Sequence, residues 1–206
     1  MVYHWAVIGG GPAGIATVGK LLDHGVKPSD ICWIDPTFTT GDFGTLWNDV
    51  SSNTQVKLFQ KFLHAASAFD YAMCPHDFAL NQPDPEKTCR LALMAEPLQW
   101  VTEQIKNKVN AFTDKVEHLA LQNRQWQIKL QHKTIAARSV VLATGSVPKK
   151  LAFSIKAEIP LHAALDRERI HQHCKQEETI AVFGSSHSAM LVLRNLVENG
   201  ISRIIN

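Results

Sequence analysis

The chain has 206 residues, of which 45% are hydrophobic and 19% charged, and its formal net charge is +2. This length can bury a substantial core and fits one large domain, or one domain with part of another. The basic residues are scattered, and no apolar stretch approaches the roughly 20 residues needed to span a bilayer. We therefore expect a globular protein that binds neither nucleic acid nor membranes.

The N-terminus and the cysteines indicate a cytoplasmic protein. The opening sequence MVYHWAVIGGG lacks the basic start of a secretory signal peptide. No two of the four cysteines form a CxxC pair, which fits reduced thiols better than a disulfide framework. These cysteines are Cys32, Cys74, Cys89 and Cys174.

The first half of the chain predicts a βαβ unit followed by two helices. The βαβ unit consists of strand 3–8, helix 12–23 and strand 30–35, and a crossover of this length requires the two strands to be parallel. A loop rich in Gly, Ser, Asn and Thr follows, and the apolar spacing then predicts helices over 54–69 and 95–109.

The second half predicts an antiparallel meander and a second strand–turn–helix unit. Three short runs broken at QNR and QHK are typical of a meander, and an apolar strand, Ser139–Ala143, follows them. Residues 146–178 are expected to be irregular. The chain then predicts strand 179–183, helix 187–199 with Gly200 as its stop, and a last apolar run, 201–205.

A glycine-rich turn joins the first strand to the first helix. Gly9, Gly11 and Gly14 form the pattern GxGxxG: the first glycine permits a tight turn, the second lets a pyrophosphate approach, and the third allows close helix packing. Asp35 ends the second strand about 20 residues later, where a carboxylate can accept hydrogen bonds from ribose hydroxyls. The motif predicts a dinucleotide site but does not choose between NAD and FAD.

Several segments in order resemble the FAD domain of two-dinucleotide-binding flavoproteins, the glutathione-reductase-like superfamily. These segments are VIGGGPAGIA, the strand ending at Asp35, the meander and VVLATG. The resemblance implies an α/β fold: a Rossmann-like FAD-binding domain with a parallel sheet, helices and a three-stranded antiparallel meander. It also implies six further cofactor-binding residues: Pro12, Ala13, Val116, Ala143, Thr144 and Gly145.

Within that superfamily, the segment GTLWNDVSSNTQVKLFQKFL is similar to flavin-containing monooxygenases. The match places Leu46 and Trp47 along the flavin and makes Asn53 a candidate catalytic residue, since an amide can both donate and accept hydrogen bonds. An alternative is that SSNT only caps a helix starting near Thr54. Both roles are compatible.

A second turn resembles the start of an NAD(P)H domain. Its residues match a relaxed GxGxSA pattern, with Ser and Ala in place of two glycines: Gly184, Ser185, Ser186, Ser188 and Ala189. We expect an FAD-binding domain over 1–150, a connector over 151–178 and the first part of an NAD(P)-binding domain over 179–206. Because the resembled proteins continue beyond this point, we expect a truncated chain, with a missing C-terminal segment or a homodimer partner covering open sheet edges.

The chain departs from the related families in two respects. It lacks the redox-active Cys pair of disulfide reductases, and the monooxygenase signature FxGxxxHxxxY/W keeps only His162, with Lys156, Glu158 and Asp166 at other signature positions. The stretch His171-x-His173-Cys174 lacks a second cluster of ligands, so we expect no metal site.

The resemblance implies an FAD-dependent oxidoreductase. The expected reaction is hydride transfer from NAD(P)H to the flavin, with monooxygenation of a small-molecule substrate as a further outcome. Two alternatives are a truncated, non-catalytic dinucleotide-binding remnant and an NAD-binding protein with one Rossmann unit; the meander and the ATG segment argue against the second.

Overall fold

The computed structural model describes residues 2–149, 152 and 154–206. Contacts divide the chain into two compact units. The first contains residues up to 48 together with 54–146, and the second contains 49–53 together with the described residues from 147 onward. The expected domain boundary between residues 150 and 151 lies outside the described residues.

The described part of the chain forms ten strands and six α-helices. The strands are β1 (Val2–Ile8), β2 (Ile31–Asp35), β3 (Ser51–Gln55), β4 (Thr88–Arg90), β5 (Asn110–Thr113), β6 (Val116–Gln122), β7 (Gln125–Leu130), β8 (Thr134–Leu142), β9 (Thr179–Ala181) and β10 (Arg203–Ile205). The helices are α1 (Pro12–Asp23), α2 (Asp42–Thr45), α3 (Val56–Leu63), α4 (Ala92–Lys106), α5 (Leu161–Ala164) and α6 (His187–Glu198).

The first unit contains a six-stranded sheet in the order β5-β2-β1-β8-β7-β6. The first four strands of this order pair in parallel, and β8, β7 and β6 pair antiparallel as a meander. The predicted α/β fold, with a parallel sheet and a three-stranded meander, is confirmed. The carboxyl ends of β1, β2 and β8 consequently meet at one edge of the sheet.

The sheet separates two clusters of buried side chains. Val7, Ile31 and Trp33 lie in the cluster that also contains side chains of α1 and α4. Ala6 and Cys32 lie in the other cluster, with side chains of the meander. Because successive residues of a strand point to opposite faces, β1 and β2 contribute to both clusters, and their sequences are apolar at nearly every position.

Three predicted elements of the first unit have different bounds. The predicted separate strand Ser139–Ala143 corresponds to the second half of β8. The first residues of β8 pair antiparallel with β7, and its later residues pair parallel with β1. The predicted helix 54–69 is shorter, because the chain is extended through Gln55 and α3 ends at Leu63. The predicted helix 95–109 begins earlier, at Ala92, whose N–H donates to Asn48.

The second unit contains β9, α6 and β10 as well as part of β3, and β9 and β10 pair in parallel. The segment predicted as an irregular connector belongs to this unit and includes α5. Gly200 has φ +79° and ends α6, as predicted, and the N–H of Ile201 donates back to Leu196. Among the described residues, no helix is both long enough and apolar enough to cross a membrane.

Candidate functional site

A cavity of about 1000 Å³ opens at the carboxyl ends of β1, β2 and β8. Loops that follow parallel strands converge at this edge of a sheet, which is where open α/β folds bind ligands. All the residues that line the cavity belong to the first unit. Its main walls are Gly9–Ala13, Asp35–Thr37, Asp114–Leu119 and Leu142–Ser146.

Three glycines of the first turn are required by contacts within the protein. Gly9 has φ +116°, and a Cβ there would run into the carbonyl of Ala143. A Cβ at Gly14 would run into the carbonyl of Gly9, and one at Gly10 would lie 2.8 Å from Cγ of Asp35. Each of these positions therefore excludes a side chain for a structural reason.

Gly11 is different, because a Cβ there would meet only the carbonyl of Thr40, at an ordinary 3.7 Å. Its φ of −78° is also open to any residue. Gly11 lines the cavity. Protein packing does not explain this glycine, whereas the close approach of a ligand to the backbone does.

The N-terminus of α1 lies beside Gly11, which is its N-cap residue. No side chain caps this terminus, its first turn contains no acidic residue, and Pro12 has no N–H to donate. The N–H groups of Ala13 and Gly14 have no partner within the helix, and the helix dipole is positive here. This terminus is therefore suited to hold a diphosphate.

The Asp35 carboxylate is buried, with 7% of the residue exposed. Its Oδ2 accepts from the N–H of Gly10 at 2.7 Å, and its Oδ1 accepts from the N–H groups of Thr37 and Phe38 at 2.9 and 2.6 Å. It holds two loops together, and Asp35 is among the residues that line the cavity. Its predicted contact with a ribose stays a prediction.

Sequence reasoning missed several side chains in the cavity walls. Thr37 and Thr39 line the cavity, and their hydroxyl oxygens lie 2.8 Å apart. Lys115 and His118 line it from the region where the meander begins. Loop threonines and single basic residues have no characteristic spacing, and only their position after β2 and β5 could have indicated them.

The other predicted residues of the FAD site divide into two groups. Trp47, Val116 and the three residues Ala143–Gly145 line the same cavity as the glycine turn. Leu46 follows α2, is 46% exposed and is not among the described residues that line the cavity.

Asn53 lies in β3, is exposed, and belongs to the second unit. The alternative in which its segment caps a helix starting near Thr54 is wrong. Helix α3 begins at Val56, and its N-cap residue is Gln55, which makes no side-chain cap bond.

The second glycine turn precedes α6 within the second unit. Gly184 has φ +122°, Ser186 is the N-cap residue, and Ser188 and Ala189 lie in the first helical turn. This turn contains no acidic residue, and Ser186 makes no side-chain cap bond. The Asn206 amide donates to the Gly184 carbonyl at 2.8 Å.

The described residues contain no group of three or more His, Cys, Asp or Glu side chains that could hold a metal ion. The four cysteines are free thiols. Cys174, from the predicted weak metal motif, is buried, and its thiol donates to the Ile170 carbonyl.

This chain is similar in sequence to one curated protein and similar in fold to several solved structures. The chain is 32% identical over 213 residues to monooxygenase AgnR1 from Paecilomyces divaricatus, covering 93% of this chain and 54% of that protein, so it spans about half the relative's length. The bacillithiol disulfide reductase Bdr from Staphylococcus aureus has a TM-score of 0.65 at 17% identity, with 99% of this chain and 56% of the reductase covered. OTEMO, solved with FAD and NADP, has a TM-score of 0.62 at 13% identity, and the match covers 98% of this chain and 38% of the OTEMO chain.

These two structural matches share the Rossmann-type α/β fold that the sequence predicted. A family model for pyridine nucleotide-disulphide oxidoreductases matches residues 3–193, which is most of the chain. The chain therefore belongs to the pyridine nucleotide-disulphide oxidoreductase family.

Proposed function

We propose that the chain binds FAD in the cavity of the first unit and acts as an FAD-dependent oxidoreductase that takes hydride from NAD(P)H. The observation that carries the proposal is Gly11, which lines the cavity and where a Cβ would fit without a clash against the protein. An uncapped helix N-terminus lies directly beside it. Together they favour a ligand with a diphosphate.

The residues of the cavity have separate roles in this proposal. The backbone of Gly11, Ala13 and Gly14 holds the diphosphate. The Asp35 carboxylate accepts hydrogen bonds from ribose hydroxyls, and the Thr37 hydroxyl can either donate to them or accept from them. Val116 and Ala143–Gly145 bound the cofactor along other walls. When bound, FAD supplies two-electron redox chemistry, and the protein supplies binding, orientation and exclusion of water.

The second turn is the proposed NAD(P)H site. Ser185, Ser186 and Ser188 can donate hydroxyl hydrogen bonds to a pyrophosphate beside the N-terminus of α6. The solved complex of OTEMO with FAD and NADP supports two nucleotides on this fold. Asn53 stays the proposed catalytic residue, on the strength of its amide chemistry and the sequence resemblance.

We further propose that the reduced flavin is used for monooxygenation of a small molecule. The name of the relative AgnR1, a monooxygenase, favours it. The degraded signature around His162 argues for a reductase or oxidase outcome instead. A dithiol mechanism has less support, since no cysteine is among the described residues that line the cavity.

The test is the spectrum of the purified protein. Bound FAD gives absorbance near 450 nm, an approximate property of the cofactor, and anaerobic NADH or NADPH should bleach it. Colour without bleaching would favour the non-catalytic remnant. A protein that is colourless after incubation with FAD and removal of the unbound cofactor contradicts the proposal.

A further inference from the structure

The peptide group between Gly9 and Gly10 is held at both ends by side chains of β2. The indole N–H of Trp33 donates to the Gly9 carbonyl at 2.9 Å. The N–H of Gly10 donates to Oδ2 of Asp35 at 2.7 Å. Trp33 and Asp35 are two positions apart, so they project from the same side of the strand.

The Gly9 carbonyl also lies close to α1. A Cβ at Gly14 would run into it, so α1 packs directly against this group. The Trp33 side chain is fully buried and packs edge-on against Phe38, with ring centroids 4.8 Å apart. Because Phe38 also donates its N–H to Asp35, both side chains that hold the peptide are themselves fixed.

The second unit repeats part of this arrangement with a different side chain. The carbonyl of Gly184, the first glycine of its turn, accepts from the Asn206 amide at 2.8 Å. Asn206 directly follows β10, the strand beside β9. In both units a side-chain donor from the neighbouring strand region therefore fixes the first glycine carbonyl.

We infer that Trp33 is a positioning residue for the diphosphate site. Its indole N–H, together with Asp35, sets the orientation of the Gly9–Gly10 peptide, and this orientation fixes the path of the chain into Gly11 and the first turn of α1. The turn is then preformed before the cofactor arrives, which lowers the ordering cost of binding. The inference rests on the proposed binding of FAD.

The experiment compares Trp33→Phe with Trp5→Phe in the full chain after removal of FAD. Both changes delete an indole, but the Trp33 indole donates to the Gly9 carbonyl, whereas Trp5 is half-buried and its ring stacks against His4. For Trp33→Phe we expect about a tenfold higher Kd for FAD, equivalent to about 1.4 kcal/mol, by fluorescence titration. The ³¹P resonances of the bound diphosphate should also shift, whereas Trp5→Phe should leave both readouts near those of the wild type.

The outcomes separate this inference from the proposed function. Failure of the wild type to bind FAD would overturn the proposed function. Wild-type binding together with an unchanged Kd and ³¹P spectrum in Trp33→Phe would overturn the inference, even if the unfolding temperature falls, since a purely structural role moves only that temperature.

A measurement on the wild type covers the case in which Trp33→Phe does not fold. Trp33 is the buried tryptophan among five, and the others are half-buried, so its ¹⁵N-labelled indole N–H should exchange slowest. Because the inference has the turn preformed, we expect this protection in the FAD-free protein, before the cofactor arrives. Exchange of the Trp33 indole N–H as fast as that of the half-buried tryptophans in the FAD-free protein would overturn the inference.

Discussion

At the scale of single residues, a substitution at Gly11 should separate the proposed cofactor binding from stability. In Gly11→Ala the new methyl group lies in the cavity, so we expect the Kd for FAD to rise by at least about tenfold. The loss of a favourable N-cap residue and the gain from a stiffer unfolded chain oppose each other, so the unfolding temperature of the FAD-free protein should change little. Flavin titration and thermal unfolding measure the two effects.

Gly25→Ala is the matched control. Gly25 has φ +78° and open space around its Cβ position, and it is not among the described residues that line the cavity. Alanine in this left-handed conformation should cost about 1–2 kcal/mol of unfolding free energy and leave FAD affinity unchanged. Equal FAD affinity for Gly11→Ala and the wild type would contradict the assignment of the diphosphate site.

Cys32 predicts how stability depends on pH. Burial raises the pKa of its thiol from 9.0 to about 12. Since the unfolded chain ionises at the lower value, the stabilisation is complete below pH 9 and is lost as the pH rises from 9 towards 12. From pH 8 to pH 10, the unfolding free energy of the wild type should fall by about 1.4 kcal/mol more than that of Cys32→Ala. Denaturant unfolding measures both, and parallel curves would contradict the prediction.

At the scale of elements, the β6–β7 hairpin contains a strained residue. Gln122 and Gln125 pair across a two-residue turn whose members, Asn123 and Arg124, have φ +51° and +60°. Such a turn favours Asn-Gly, so Arg124→Gly should stabilise the protein by about 1 kcal/mol. We expect the unfolding temperature to rise by about 2–4 °C.

A glycine within the neighbouring strand serves as the comparison. Gln122→Gly places the flexible residue where the chain must stay extended, so it should lower the unfolding temperature. If Arg124→Gly is also destabilising, the strain assigned to Arg124 does not exist.

Elements with strong local signals were predictable from the sequence. Helix α1 lies where it was predicted, because a glycine turn and Pro12 mark its start. β5 was missed, since Asn110–Thr113 is short and gains its partner only through parallel pairing with β2. The apolar face of α3 extends past its real end at Leu63, because the spacing of Ala66 and Phe69 also suits a short 3₁₀ turn.

In the candidate site, too, features with a local sequence signal were predictable, and features that depend on the tertiary fold were not. The glycine spacing predicted the cavity wall from Gly9 to Ala13, because turn geometry and ligand approach both restrict these positions. The bonds of Asp35 to the Thr37 and Phe38 N–H groups could not be predicted, since they depend on the path of a loop. The Trp33 contact with Gly9 likewise depends on how β2 lies beside the turn.

At the scale of the whole molecule, the two glycine turns lie in two separate units. If each turn holds its own ligand, the two ligands should protect different amides from hydrogen exchange. FAD should slow exchange over residues 9–14 and 35–40, and NADP⁺ should slow it over 184–189. Exchange followed by mass spectrometry resolves these peptides.

Gly11→Ala provides the control for this last prediction. At an FAD concentration that half-saturates the wild type, the variant should lose protection over 9–14, whereas NADP⁺ should still protect 184–189, because that turn is built from residues of the second unit. Protection of 184–189 by FAD alone, or of 9–14 by NADP⁺ alone, would show that the turns do not discriminate between the two nucleotides. The assignment of one cofactor to each unit would then fail, even if flavin colour and bleaching are both observed.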